Sequence, residues 1–387
     1  MIALVKAELR KNWKTRKFLV AVLCFLIFMG CSYSFCLQKA QKYYDDQSIA
    51  LHYEYTITGG IAGSLIAQLQ LIPFDEEPPG MRERSKIWGA AADEIYRLAN
   101  LRQAEEYFGY DKITDASYKR AESLAALLTH KLYEKELDGS GLTLQDVRDD
   151  QTYYSYMKEH QIDMYRTPYE PNLLNFIMML FENEMIILLI MVSAFFLIDQ
   201  ICQDYDNGSY KNVYTIPCKR STIMSAKVIS SLIMITVSFF AALLLFSWIP
   251  YIQYGVGSLE YPYMRNHELL TYLPLLARTI PFVMVILLFY MTICALAANL
   301  FKSTTNTLLF MSGILLMVYL GVQFFGLHHP LLTWLPFFYI YPLDVVFGGY
   351  DYSYWICIAA GILSIIVLYL IFCRKMEKMD LKGSDAS

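Results

Sequence analysis

The residues with the most chemical content lie in Gln203–Lys227, QDYDNGSYKNVYTIPCKRSTIMSAK, the longest polar interruption between the hydrophobic stretches of the C-terminal two-thirds of the chain. Asp204 and Asp206 lead into Gly208 and Ser209; Lys211, Pro217, Lys219, Arg220 and Lys227 follow, and an apolar run begins at Val228. Acids at a helix start interact favourably with its dipole, so Asp204 and Asp206 are expected to open a short helix. Tyr210, Val213 and Tyr214, at i, i+3 and i+4, give that helix an apolar face. Pro217 ends it, because proline lacks a backbone donor and disfavours helix in the residue before it. Ser221 is expected to cap the helix that follows. The resulting element is suited to docking and to passing a push into two flanking helices; the plainer alternative is a juxtamembrane loop whose cations set orientation.

Nothing else in the chain points to bond chemistry. No G-x-x-x-x-G-K-[ST], H-E-x-x-H or G-x-S-x-G occurs. His328 and His329 are adjacent and face apart, and no His/Cys spacing suits a metal. None of the eight cysteines falls between Gln38 and Leu174, which excludes a disulfide framework there; they read as small apolar filler. Catalytic, cofactor and metal sites are therefore not expected, and nothing points to nucleic acid. Glu182 and Glu184 are the remaining candidates for a site. They are either interfacial or an acidic lining on a substrate path, where Arg278 is a candidate partner for either. Asp199 is expected to meet headgroup water and Asp344 to cap or turn the chain.

These residues need a membrane to position them. Of 387 residues, 56% are hydrophobic and 18% charged, well below the roughly 25% charge of soluble domains. Six stretches approach the length of a span: Phe18–Leu37, Met185–Ile201, Val228–Ile249, Thr279–Leu300, Thr305–Phe325 and Tyr354–Cys373. Phe18–Leu37 is too long for a signal core and lacks a small-residue cleavage site, so it is expected to be retained. Ahead of it, Met1–Lys17 alternates an apolar face (Ile2, Val5, Leu9, Trp13) with a cationic one (Lys6, Arg10, Lys14, Lys17), the pattern of a helix lying along anionic headgroups. Leu331–Leu343, interrupted by Pro336 and Pro342, is apolar but too short to cross and suits a re-entrant segment. Gly313 and Gly321 mark a weak close-packing face. With the N-terminus inside, Lys211, Lys219, Arg220, Lys227, Lys302, Arg374, Lys375, Lys378 and Lys382 are also inside, and the short outer loops keep only Arg265, with Arg278 at the rim. Both termini are therefore expected to be cytoplasmic.

On that topology Gln38–Leu174, with 23 acids and 15 bases, is an extracytoplasmic domain. Helical spacing recurs in Arg82–Phe108, Thr114–Leu137 and Thr143–Ile162, the last opening with the capping pair Thr143 and Asp146. Ile57–Leu71, apolar with three glycines, either leans on the membrane or packs inside. Pro250–Tyr272 reads as a short outer loop with interfacial tyrosines. The expected fold is all-α and integral to the membrane: interfacial helix and first span in 1–37, helical outer domain in 38–174, and a five-span core in 175–387. That core carries the loop 199–227, the re-entrant segment before the last span, and the tail 374–387.

The pattern D-x-D-x-G-S-x-K-x(5)-P-x-x-R-x(6)-K resembles the signature of type-two ATP-binding-cassette (ABC) exporter permeases, E-x-E-x-G-T-L-x-x-L-x-x-x-P-x-x-R-x(6)-K between the second and third spans. Asp204, Asp206, Gly208, Ser209, Pro217, Arg220 and Lys227 match by position and type; Asp for Glu, Ser for Thr and Tyr210 for Leu depart from it. The order of interfacial helix, first span, large outer domain, five spans and re-entrant segment matches as well. The resemblance implies a permease that works with a second copy, identical or not, each seated in the lipid membrane on a separate nucleotide-binding subunit that carries ATP and Mg. The segment containing Asp204, Asp206, Gly208, Ser209, Lys211, Pro217, Arg220 and Lys227 would be its coupling element. A large outer domain in this position looks like that of bacterial permeases for antimicrobial peptides, drugs or other amphipathic compounds. The rival reading is a membrane sensor or anchor with a ligand-binding outer domain and no transport.

Overall fold

The computed structural model describes residues 1–73, 77–103, 110–129, 144–162, 165, 167–210, 218–325, 335–349 and 353–377. Helices dominate, and six of them are long and apolar enough to cross a membrane; the protein is an all-α, multi-pass integral membrane protein. The described chain forms two compact units.

The first unit comprises Met1–Ser34, Phe176–Val256 and Pro274–Ser387. It opens with α1 (Ile2–Lys14), which ends where Arg16 takes a positive φ of 57°. Ile2 and Trp13 remain exposed, as an interfacial helix requires. Next comes α2 (Lys17–Leu71), whose first half belongs to this unit; its 55 residues run without a break past the expected end of the span at Leu37. The short α6 (Leu173–Met179) precedes α7 (Asn183–Asp206). Helix α8 (Arg220–Phe246) starts eight residues ahead of its apolar run, and α9 (Trp248–Tyr254) follows. Helix α10 (Tyr272–Phe301) is longer than the apolar run suggested, so Pro281 lies inside it rather than near its end. Lys302, at φ 51°, turns the chain into α11 (Thr304–Phe325).

The segment before the last helix has the irregular character its prolines dictate. Its first residues, Leu331–Trp334, and His328 and His329 before them, lie outside the described residues. Beyond them a 3-10 turn (Pro336–Phe338) and α12 (Pro342–Val346) each begin at a proline, the position where a missing N–H costs nothing. Tyr290 Oη donates to the Phe337 carbonyl at 2.6 Å, and Phe289 and Phe282 pack on Phe337 and Tyr339. Asp344, expected to cap or turn the chain, is buried within α12, and its backbone carbonyl accepts from Gly349 N–H at 2.7 Å. Non-helical backbone survives in an apolar setting when protein covers it. Helix α13 (Tyr354–Glu377) closes the chain.

Glycine spacing gave a poor guide to close packing. Gly313 faces open space and Gly321 meets Phe338, whereas the tightest approach is at Gly361, where a Cβ would sit 2.5 Å from Val285 Cγ1. Glycine there lets α13 lie against α10.

The second unit comprises Phe35–Asn175 and Gly257–Leu273. Helices α3 (Met81–Gln103), α4 (Tyr110–Thr129) and α5 (Leu144–Glu159) pack in series with the second half of α2. Their core holds Trp88, Ile95, Leu98, Ile113, Leu124, Leu127, Val147 and Met157. Ala62 and Leu65 are part of it and Ile57 and Ile61 pack against it, so Ile57–Leu71 packs inside. The helices expected to reach Phe108 and Leu137 are described only to Gln103 and Thr129, and Thr143, the expected cap of α5, lies outside the described residues. Gly257–Leu273, expected to be a loop, carries a hairpin of two antiparallel strands, β1 (Pro262–Arg265) and β2 (Glu268–Thr271), with Asn266 and His267 at positive φ in its two-residue turn. Tyr261 enters the core: Tyr153 Oη donates to its hydroxyl at 3.0 Å and Tyr165 stacks on its ring at 4.1 Å between centroids.

One charge cluster crosses this core. The Arg120 guanidinium donates to both carboxylate oxygens of Glu54 at 2.8 and 2.6 Å and to Asp150 at 3.0 Å. Burial alone would lower the arginine pKa, but the two carboxylates hold the guanidinium charged and raise it.

Two substitutions test this packing. Gly361→Leu should destabilise the detergent-solubilised protein by about 1–3 kcal/mol, the usual cost of overpacking, and adding Val285→Ala should return part of the lost thermal stability. Arg120→Ala leaves Glu54 buried without its counter-ion, a loss of about 3–5 kcal/mol, and limited proteolysis should then cut the second unit at protease levels the native protein survives.

Candidate functional site

The stretch Gln203–Lys227 builds a node where α1, α7 and α8 meet. Asp204 is 5% exposed and Lys227 1% exposed, and the Lys227 ammonium donates directly to Asp204 Oδ2. The other oxygen, Oδ1, accepts from Lys11 Nζ at 3.2 Å and from Ser209 Oγ at 3.2 Å. One carboxylate thus holds a cation from α1, a cation from α8 and the hydroxyl of the turn that follows α7. Burying these charges costs several kcal/mol per ion unless each is paired and hydrogen-bonded, and here each is.

One helical turn away a neutral network repeats the connection. Asn12 Nδ2 donates to Gln200 Oε1 at 3.1 Å, Gln200 Nε2 donates to Ser230 Oγ at 2.6 Å, and Ser231 Oγ donates to Gln200 Oε1. All four are buried, where an unmade hydrogen bond would cost about 1–3 kcal/mol. At the start of α2, Lys17 donates to Asp199 and, at 2.9 Å, to Gln203. Asp199, expected to meet headgroup water, therefore has a cation of the same chain as its partner.

The expected roles of the motif change in three places. Asp204 and Asp206 do not open a helix; they end α7. Acids in a last turn oppose the helix dipole, so their place there depends on outside partners: the two lysines for Asp204, and Thr304 Oγ1, which donates to Asp206 at 2.5 Å from the start of α11. Lys227 is buried, so it anchors the base of the loop and presents no surface to a partner. Ser221 does not cap α8; the helix begins at Arg220, with Lys219 in the cap position and no side-chain cap.

Gly208 and Ser209 lie in the turn that follows α7. Gly208 has φ +66°, a conformation that favours glycine, and its N–H donates to the Tyr205 carbonyl at 3.1 Å. Tyr210 stacks on Tyr205 at 5.6 Å between ring centroids. Arg220 is half-buried at the first residue of α8. Lys211 and Pro217 lie outside the described residues.

Glu182 and Glu184 stand at the other end of α7, about 33 and about 30 Å from Asp204 at 1.5 Å per residue. Glu182 is its buried N-cap residue and Glu184 lies exposed in its first turn. The structure does not bring them to the Asp204 node. Among the described residues no group of three or more His, Cys, Asp or Glu side chains is placed to hold a metal ion.

Lys11, Asn12, Gln200, Ser230 and Ser231 were not singled out in the sequence. The available signal was polar spacing within otherwise apolar helices: Gln200 and Asp204, and Lys227 and Ser231, are each four apart and so share a helix face.

The structure is that of a six-span integral membrane protein with a polar node at the end of its second apolar helix. The family model for the ABC-2 family transporter protein matches residues 2–341, and the chain belongs to that family. It is accordingly the membrane subunit of an ABC transporter, and an ABC ATPase is its partner. No curated protein and no solved structure gives a significant match.

If the node fastens three helices, breaking it from one side should be worse than removing it. Asp204→Ala strands Lys227 in the interior and should cost about 3–5 kcal/mol, read as a lower melting temperature in detergent. The double variant Asp204→Leu, Lys227→Met should recover most of that loss.

Proposed function

We propose that this chain couples ATP hydrolysis on a separate nucleotide-binding subunit to export of an amphipathic substrate of the class of antimicrobial peptides, drugs or lipid-like compounds. The segment between α7 and α8 forms its coupling element. The observation that carries this reading is the Asp204 node: one carboxylate, immediately before the turn at Gly208, ties α7 to α1 and α8, while Asp206 reaches α11. A displacement imposed on residues 207–219 is then delivered to four helices at once instead of being absorbed by one flexible link. Helices packed this closely shift as bodies, since dense interiors deform little.

In this reading the loop faces the cytoplasm with both termini, the cationic face of α1 lies on the inner leaflet, and the second unit stands outside the cell membrane. Two permease copies, identical or not, sit on two ATPase subunits; ATP and Mg belong to those subunits. Arg220, at the first residue of α8, and Gly208, at the turn, are the residues nearest the docking surface, while Asp204, Ser209 and Lys227 hold that surface to the spans. Family membership supports this reading over the sensor or anchor, which needs neither six spans nor an ATPase.

Gly208→Pro cannot adopt the required φ and removes the N–H that closes the turn; Arg220→Glu inverts the charge at the helix start. In vesicles containing the permease and its co-purified ATPase, each variant should insert normally and lower substrate-stimulated ATP hydrolysis at least tenfold. Stimulated hydrolysis at the native rate in both would refute the coupling role.

A further inference from the structure

Within the first unit, α2, α6, α7, α8 and α10 surround a cavity of about 180 Å³. Its lining is apolar, with aromatic walls from Phe25, Phe181 and Phe239 and aliphatic ones from Leu189, Leu243 and Val283. Phe240, Ile280 and Met284 also line it and are about half-exposed, so it reaches the surface of the unit. Neither Glu182 nor Glu184 is among the lining residues.

Thr236 lines the cavity from an exposed position; the buried polar group in the wall is unusual. Ser193 lines the cavity, is 1% exposed, and its hydroxyl has no hydrogen-bond partner. Helical serines in an apolar setting commonly donate to the carbonyl four residues back, as Ser32 does to Phe28 at 2.9 Å. Ser193 does not. Ser238 and Thr279, adjacent in sequence to the lining residues Phe239 and Ile280, are also fully buried with unpartnered hydroxyls. Buried hydroxyls without partners cost about 1–3 kcal/mol each, whereas alanine at these positions would fill almost the same volume without that penalty. An apolar chamber with an unspent polar group in its wall, as Ser193 is here, has the general form of a small-molecule site, and a dry apolar cavity of about 150 Å³ already accepts a benzene-sized guest.

We propose that this cavity binds the hydrocarbon portion of an amphipathic molecule, a short length of alkyl chain or an aromatic ring lying past Phe240 and Met284, with the Ser193 hydroxyl bonding to the polar atom next to that portion, an ester carbonyl or an ammonium group. This does not rest on the coupling role of the Asp204 node: binding can be present where coupling is lost, and the reverse. An apolar guest of this kind has two sources, a membrane phospholipid tail or a single-chain amphiphile taken from the membrane as cargo.

The test uses the full-length permease with its ATPase in nanodiscs and two photoreactive probes, a phosphatidylglycerol with a diazirine in one acyl chain and a dodecylammonium carrying a diazirine in the chain, followed by peptide mapping. The expected result is labelling of the α7, α8 and α10 segments that line the cavity. Ser193→Phe, which fills the space, should reduce that labelling about tenfold, equivalent to about 1.4 kcal/mol, with Gly208→Pro leaving it unchanged. Leu189→Phe, which fills the chamber from the same helix while keeping Ser193, serves where Ser193→Phe lowers the melting temperature. Labelling by the phospholipid alone assigns a resident lipid; labelling by dodecylammonium that excess unlabelled dodecylammonium suppresses assigns a cargo site. If neither probe labels the lining segments, or if labelling persists undiminished in a folded cavity-filled variant, the proposal is overturned.

Discussion

The six-span unit depends at one end on a single buried carboxylate. Asp204 sits in the last turn of α7, where the helix dipole opposes a negative charge, and deep enough that water does not compensate. Its place there is tenable only because Lys227 and Lys11 meet it from two other helices. The arrangement is mutual: a lysine exposed to the extent of 1% in the first third of α8 is equally untenable without the acid. Neither charge can leave alone, so the pairing holds the junction of α1, α7 and α8 in register. A hydrophobic junction of equal volume would hold the helices at least as firmly, but it would specify their relative rotation less sharply. The neutral Asn12–Gln200–Ser230 chain one turn away adds a second directional constraint of the same kind.

The sequence spoke clearly where one physical effect dominated. Apolar length revealed the spans, because crossing a bilayer requires about twenty predominantly apolar residues, and the prolines of 336–342 announced a broken segment that the 3-10 turn and α12 then display. The D-x-D-x-G-S pattern marked the stretch whose first acid forms the buried node. Local rules then misassigned roles within it. Acids followed by a tyrosine-rich face looked like a helix start, yet α7 continues through Asp206 because its partners lie on α1, α8 and α11, remote in sequence. Asp199 looked solvated for the same reason, since Lys17 is 182 positions away. Tertiary pairing of this kind leaves only a faint trace in a single sequence, such as a glutamine or serine where an apolar residue would do.

Helix packing followed the same division. Gly313 and Gly321 stood out by spacing, while Gly361, which spacing did not mark, is where two helices approach closely enough to exclude a Cβ. Which face of a span meets its neighbour is decided by the whole bundle. The hairpin at Pro262–Thr271 escaped notice because four-residue strands carry almost no periodicity, and its tyrosines resembled interfacial anchors until Tyr261 was found within a core.

That tyrosine has a bearing on how such proteins diversify. The second unit is assembled from two stretches of chain separated by the α7 and α8 spans, and Tyr261, from the shorter stretch, satisfies the hydroxyl of Tyr153 and stacks on Tyr165 in the longer. The unit is therefore not a cassette that one recombination event can exchange. A transplanted 35–175 segment would arrive lacking its keystone ring, so inheritance of this unit must track the connector between α9 and α10, and the two stretches should change in concert between relatives.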